Sequence, residues 1–267
     1  MLCVRPPAVA GMFYPAEPRR LAADVASMLA SAEVSQPERM PKALVVPHAG
    51  YVYSGPIAAS AYACLRAFRE KIRRVVLFGP AHRVYLHGLA LPDADAFDTP
   101  LGRIRIDADA AASLGLPRNV AAHAREHSLE VELPFLQSVL ASFDIVPIAV
   151  GDAGPEEVAG IIERLWGGPE TLIVISSDLS HYLPYATARA VDTRTAGKII
   201  SLEGPLGHDE ACGATPINGL LLVARRRRLL PVALDIRSSG DTAGSKGEVV
   251  GYGAFAFYED ERGETGN

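Results

Sequence analysis

Four short stretches of the chain share one design. Val45-Val46-Pro47-His48, Phe78-Gly79-Pro80-Ala81-His82, VISSDLSH (Val174 to His181) and IRSSGD (Ile236 to Asp241) each run from apolar residues into a turn that carries a His or an Asp. In an open α/β sheet, ligands bind beyond the carboxyl ends of the strands. Neighbouring strands lie about 5 Å apart, so side chains at several strand ends converge on one site. His48, His82 and Asp241 would then offer two imidazoles and a carboxylate. Such a set leaves open positions on a divalent ion, as in non-haem Fe(II) oxygenases. It equally suits catalytic zinc with water in the open position. Taken singly, a turn histidine such as His48 can simply hydrogen-bond a neighbouring carbonyl. The long-range spacing is also far less specific than a local HExxH.

His181 is the fourth member, and a histidine not needed as a ligand can act as general acid or base. Asp178, three residues earlier, is placed to orient that imidazole, while Ser176-Ser177-Asp178 reads equally as a helix N-cap. EHSLEVELP (Glu126 to Pro134) is dense in ionisable groups, and on a helix His127, Glu130 and Pro134 would lie near one face. Glu130 then points either into a polar site or onto a solvated face. Cys212, in the turn ACGATP, is either a thiol activated by a helix N-terminus or a small buried residue. Tyr51 and Tyr53 follow His48 closely enough to line a pocket there. His87, His123 and His208 sit in loop-like surroundings and read as surface residues. SSGDTAGS (Ser238 to Ser245) could cradle a ligand through backbone N–H groups, but it lacks the lysine and spacing of a P-loop and reads more simply as a flexible turn. No G-x-S-x-G marks a serine hydrolase.

Strands alternating with helical patterns must position these groups. Strands are expected at Ala43–Val46, Arg74–Gly79, Leu86–Leu91, Leu101–Ile106, Ile145–Val150, Thr171–Ile175, Val232–Ile236 and Gly253–Tyr258. Helices are expected at Pro18–Ala32, Ile57–Phe68, His127–Ser142, Pro155–Trp166, Ala186–Ser201 and Thr215–Arg228. A polar connection spans Glu33 to Pro41. Runs such as Val75 to Phe78 are apolar on consecutive residues, which implies a sheet covered on both faces. The closing VVGYGAFAF alternates and suits an antiparallel or edge position. No linker divides the chain. The expectation is a single three-layer α/β/α domain over residues 1–267, with a central, mostly parallel or mixed sheet and a hairpin of short strands beside it.

With 31 acidic and 26 basic residues the chain carries net −5, which argues against a nucleic-acid surface. The one basic run, Arg225 to Arg228, follows an apolar helical stretch and reads as a solvated helix end. Three widely spaced cysteines without a CxxC pair do not suggest a disulfide framework. No apolar run reaches the roughly 18 residues of a membrane span, and no signal peptide is visible. These features suit a cytoplasmic protein.

Beyond single residues, the chain resembles the Memo family, which includes the AmmeMemoRadiSam system protein B of bacteria and archaea. The resemblance rests on RPPAVAGMFYP (Arg5 to Pro15), PHAGYVYSG (Pro47 to Gly55), GPAH (Gly79 to His82), EHSLEVELP, SSDLSH (Ser176 to His181), Cys212-Gly213 with Pro216-Ile217, and SSGD (Ser238 to Asp241). It implies a fold like that of class III extradiol ring-cleaving dioxygenases. His48 and His82 match the family's metal-binding histidines, Asp241 falls where those dioxygenases have a carboxylate ligand, and His181 matches their acid/base histidine. The implied cofactor is a divalent metal, Fe(II) first, with Zn or Cu as alternatives. The implied function is an oxidoreductase acting on a small substrate such as an aromatic diol. Two others stand beside it: a metal-binding or phosphopeptide-binding adaptor working with AMMECR-type and radical-SAM partner proteins, and a zinc-dependent hydrolase.

Overall fold

The computed structural model describes residues 2–34 and 38–260, so residues 35–37 of the expected polar connection lie outside the described part. In chain order the strands are β1 (Val4–Arg5), β2 (Ala43–Val46), β3 (Arg74–Pro80), β4 (Leu89–Ala90), β5 (Ala96–Thr99), β6 (Gly102–Arg105), β7 (Asp144–Val150), β8 (Thr171–Ser176), β9 (Leu230–Ser238) and β10 (Gly251–Tyr258). The helices are α1 (Pro18–Ser31), α2 (Tyr51–Tyr62), α3 (Ala108–Ser113), α4 (Val120–Ala124), α5 (Leu133–Val139), α6 (Pro155–Arg164), α7 (Tyr185–Ile200) and α8 (Ala214–Arg227). Seven strands form one mixed sheet in the order β4-β7-β3-β8-β2-β10-β9. The β7-β3-β8-β2 centre is parallel, and β4 and β10 are antiparallel to their neighbours. A small sheet, β1-β5-β6, contains a hairpin of β5 and β6; of the two short strands expected there, Leu101–Ile106 supplies β6, whereas Leu86–Leu91 supplies β4, which pairs with β7 in the large sheet.

The two-residue period of a strand sorts the apolar runs into two cores. Leu44, Val46, Val75, Leu77, Leu172 and Val174 pack on one face, with α1, α2 and α5. Their neighbours Val45, Val76, Phe78, Ile173 and Ile175 pack on the other, with α6 and α8. This is the three-layer α/β/α arrangement, and it explains why the central strands show no polar face. The closing strand β10 is antiparallel but interior, because β9 takes the edge.

Several local readings change. The helix expected from Ile57 begins at Tyr51 and carries Pro56 inside it, while residues 63–68 tighten into a 3₁₀ turn. Proline removes an interior donor and so reads as a breaker, but nine of the twelve residues of α2 are buried and packing overrides that preference. The helix expected over His127–Ser142 is a 3₁₀ turn at Glu130–Glu132 followed by α5. His127 therefore precedes the helix in a loop. The basic run ends α8, where Arg226 pairs with Glu156 and Glu163. No described helix is long and apolar enough to cross a membrane.

The N-terminal segment is pinned to the 123–130 loop by one buried ion pair. Arg5 Nη1 donates to Glu130 Oε2 at 2.7 Å, while its Nε and Nη2 donate to the carbonyls of His123 and Glu126. Glu130 also accepts from the N–H groups of Ala8 and Val9 and from the Tyr14 hydroxyl. Breaking such a pair from one side strands a buried charge, at a cost of about 3–5 kcal/mol. Arg5→Met should therefore lose about that much in urea denaturation at neutral pH. A loss under about 1 kcal/mol, the level of a surface pair, would show that the pin is not structural.

Candidate metal centre

His48 lies two residues beyond β2 and His82 two beyond β3, while β8, between these strands, leads into Ser177–His181. All three strands are parallel, so their carboxyl ends open on the same rim. Gly79 lets that rim close on the 126–129 loop. A Cβ there would stand 2.6 Å from Ser128 Oγ and 3.0 Å from Leu129 Cδ2. The loop brings His127 over the strand ends. One nitrogen from each of His48, His82 and His127 lies within 4.8 Å of the others. The rings are 4.8–5.3 Å apart between centroids.

Each imidazole has its own environment. His48 Nδ1 is 2.7 Å from Ser176 Oγ, and its backbone N–H donates to Asp178. Burial, then the neighbouring His82, His127 and His181, holds its pKa well below the ordinary histidine value. His82 Nδ1 donates to Glu126 Oε1 at 2.9 Å, and Glu126 Oε2 accepts the His82 backbone N–H. Glu126 also accepts from the backbone N–H groups of His127 and Ser128. Burial pushes its carboxyl up, but the His82 ring and these N–H donors outweigh that and hold it at about 2. His127 Nδ1 is buried and stands 3.2 Å from Glu126 Oε1 in a geometry that makes no hydrogen bond. Burial lowers the His127 pKa to about 4. His48 and His127 are thus neutral at physiological pH.

Three imidazoles fit a divalent ion. Neutral rings keep a lone pair for the metal, and imidazole suits Zn, Cu, Fe and Ni. The carboxylate behind His82 is the outer partner that fixes a metal-binding histidine.

The cavity over these rings measures about 650 Å³ and is walled by Phe13, Tyr53, Arg83, His181, Tyr182 and Tyr252, among others. His181 Nδ1 donates to the Leu179 carbonyl at 2.8 Å, and burial lowers its pKa. Its other nitrogen is left as a proton acceptor. Tyr182 beside it has φ +55°, a backbone conformation that is uncommon outside glycine and turns up at functional sites.

Not every expected site residue arrives here. Asp241 does not join the histidine group. It lies beyond β9, two strands out from β2 in the sheet, and lines a separate pocket with Arg189 and Asp192. Its carboxylate accepts from Ser238 N, Ser238 Oγ and the Tyr185 hydroxyl, closing its own 3₁₀ turn. His127 takes the third place instead. Asp178 lines the cavity but holds the His48 backbone, not the His181 ring, and burial raises its carboxyl to about 7. It caps no helix either, because α7 begins only at Tyr185. Tyr53 reaches the cavity, whereas the buried Tyr51 hydroxyl donates to the Val131 carbonyl. Glu130 serves the N-terminal pin. Cys212 Sγ is 3.4 Å from His48 Nε2, and burial pushes its thiol up to about 12, the reverse of activation by a helix N-terminus. His123 is buried, not superficial, and its Nε2 donates to the Ala90 carbonyl, while His87 and His208 are exposed. Glu126, Ser176 and Phe13 were legible only as members of motifs. The clearest signal for Glu126 is the density of charge in EHSLEVELP amid apolar residues.

A family model for Memo-like proteins matches residues 5–256. Among similar chains, a MEMO1 family protein of Ignicoccus hospitalis is 37% identical, covering 96% of this chain and 99% of its own length. One from Methanosarcina barkeri is 35% identical over 94% and 98%, and one from Pyrobaculum arsenaticum 33% over 96% and 99%. Matched along nearly its whole length by the family model and by relatives at 33–37% identity, the chain belongs to the Memo-like family.

Proposed function

We propose that this protein is a divalent-metal enzyme acting on a small substrate in the cavity above the three histidines. The observation that carries this reading is the convergence of His48, His82 and His127 at the floor of an open cavity, with a fourth histidine, His181, on its wall. A bound divalent ion would supply Lewis acidity or, as Fe(II), a site for O₂ chemistry. The surrounding residues do the rest. Glu126 and Ser176 orient His82 and His48, Tyr53 and Tyr182 offer aromatic surface to a ring-bearing substrate, and His181 exchanges a proton through the nitrogen not tied to Leu179. Fe(II) and an aromatic diol, as in extradiol dioxygenases, are the first choices. Zn with a hydrolysable substrate is the second, since three histidines also hold catalytic zinc. Capture of a phosphopeptide has less behind it, because among the described residues Arg83 is the only arginine on the cavity wall and Glu248 shares that wall.

Metal content after anaerobic purification, with titration of the metal-free protein by Fe(II) and Zn(II), tests this. One equivalent should bind to the wild type. His48→Ala, His82→Ala and His127→Ala should each abolish binding, and Asp241→Asn should retain it. Binding lost in Asp241→Asn and kept in His127→Ala would restore the triad expected from the sequence. A wild type that takes up no metal would overturn the reading. Glu126→Gln should weaken binding by about 10–100-fold, as loss of an outer-sphere partner does.

His181→Gln should leave metal affinity intact and lower oxygen uptake with catechol-type diols by about 100-fold or more. Since the His181 pKa is lowered by burial, wild-type activity should persist as pH falls to its ordinary value and decline only below it. Equal uptake in both proteins would remove His181 from the proton-transfer role.

A further inference from the structure

Ser176 Oγ has three polar neighbours within hydrogen-bond distance and only one hydrogen. His48 Nδ1 is at 2.7 Å, the Ser128 carbonyl at 2.6 Å and Glu132 Oε1 at 2.8 Å. The Ser128 carbonyl can only accept, so it requires the serine hydrogen. The two remaining contacts must then point their hydrogens at Oγ, whose two lone pairs are sufficient for both. His48 must carry its proton on Nδ1, and Glu132 must be a neutral carboxyl whose O–H donates to Ser176. An ionised Glu132, or a His48 with its proton on Nε2, would leave two acceptors facing each other at under 3 Å in a dry site. Two other contacts agree. The Tyr62 hydroxyl donates to Glu132 Oε2 at 2.7 Å, which places the carboxyl proton on the oxygen facing Ser176. At the far side of His48, the Cys212 thiol has Nε2 as its nearest acceptor, which suits a lone pair there.

We propose that Glu132 is a positioning residue, a neutral carboxyl that acts through Ser176 to hold His48 with its proton on Nδ1 and its lone pair on Nε2. The residue is fully buried, and burial, followed by the neighbouring Asp178, raises its pKa to about 8 against the opposing hydrogen bonds of Tyr62 and Ser176. The groups facing it are Tyr62 and Tyr51 from α2, Ser176 from β8, the Ser128 carbonyl from the 126–129 loop, and Asp178 beyond Ser176. None is a cation that would favour ionisation. The purpose of the device, presenting Nε2 to an ion, rests on the metal reading above. The tautomer itself does not.

The test is made on metal-free protein. Long-range ¹H–¹⁵N spectra of ¹⁵N-histidine-labelled protein at about pH 6–7, near the ordinary histidine value, should show His48 with the Nδ1–H pattern in wild type. Glu132→Gln, whose amide can still donate to Ser176 and accept from Tyr62, should keep that pattern. Glu132→Leu and Ser176→Ala should each shift His48 toward the Nε2–H pattern and, on adding Zn(II), bind it about 10–100-fold more weakly than wild type or Glu132→Gln. Because the folded carboxyl binds its proton more tightly than the unfolded one, wild-type stability should fall between about pH 5 and pH 8, more steeply than that of Glu132→Gln. An unchanged Nδ1–H pattern in Ser176→Ala, or a loss of it in Glu132→Gln, would overturn the proposal. Equal pH dependence in wild type and Glu132→Gln would do the same. Absence of zinc binding in all variants with the tautomers as expected would instead overturn the metal reading and leave the positioning role standing.

Discussion

One carboxylate holds the centre together. Glu126 accepts from the ring and backbone of His82 and from the backbone of His127 and Ser128, so a single side chain joins the turn after β3 to the loop before α5. Without that pin the two histidines would sit on independent loops, and loops alone do not hold ring nitrogens within ångströms of one another. The charge is retained in a buried place because four donors surround it, which is the condition under which an ionised carboxylate is stable away from water. Arg5 and Glu130 repeat the logic one layer further out, tying the N-terminal segment to the same loop. The rim is thus an interlock of three carboxyl groups within seven residues. Glu126 is charged and faces the histidines, Glu130 is charged and faces Arg5, and Glu132 is neutral and faces Ser176.

The fold was legible because its central strands obey local rules. Uninterrupted apolar runs with helical stretches between them allow few alternatives to a parallel sheet covered on both sides. His48 and His82 were legible because they sit two residues past such strands. Asp241 was misplaced for a reason that sequence does not carry. Strand order is a property of the sheet, and β9 lies outside β10, so its turn begins two strands away from β2. His127 was hidden by the opposite error. A helical period imposed on EHSLEVELP put it on a helix face, whereas it belongs to the loop ahead of the helix. His123 looked superficial because its surroundings read as a loop, yet it lies in α4 and is buried, with Arg5 bonded to its carbonyl. Asp178 and Glu130 were recognised as polar groups with work to do, but their partners lie 130 and 125 residues away in sequence, beyond any local pattern.

The electrostatics at the cavity floor follow from the burial of individual ionisable groups. Burial lowers the pKa of His48, His127 and His181 and raises that of Asp178 to about 7, so the same cause presents neutral rings and reduces the negative charge beside them. Glu126, with its donors in place, stays ionised beside the histidines. Three imidazoles set close together in this way could hold a divalent ion.

The turn between β9 and β10 has a consequence of a different kind. Ser239, Gly244, Ser245 and Glu248 reach one wall of the cavity from that single excursion of the chain, while the histidines on the floor come from other segments, each anchored in the sheet or by Glu126. Floor and wall are therefore separately editable. Insertions or exchanges within residues 239–250 can reshape what fits above the rings while the rings themselves stay fixed. Divergence among chains of this architecture has an inexpensive route to new guests through one stretch of about a dozen residues.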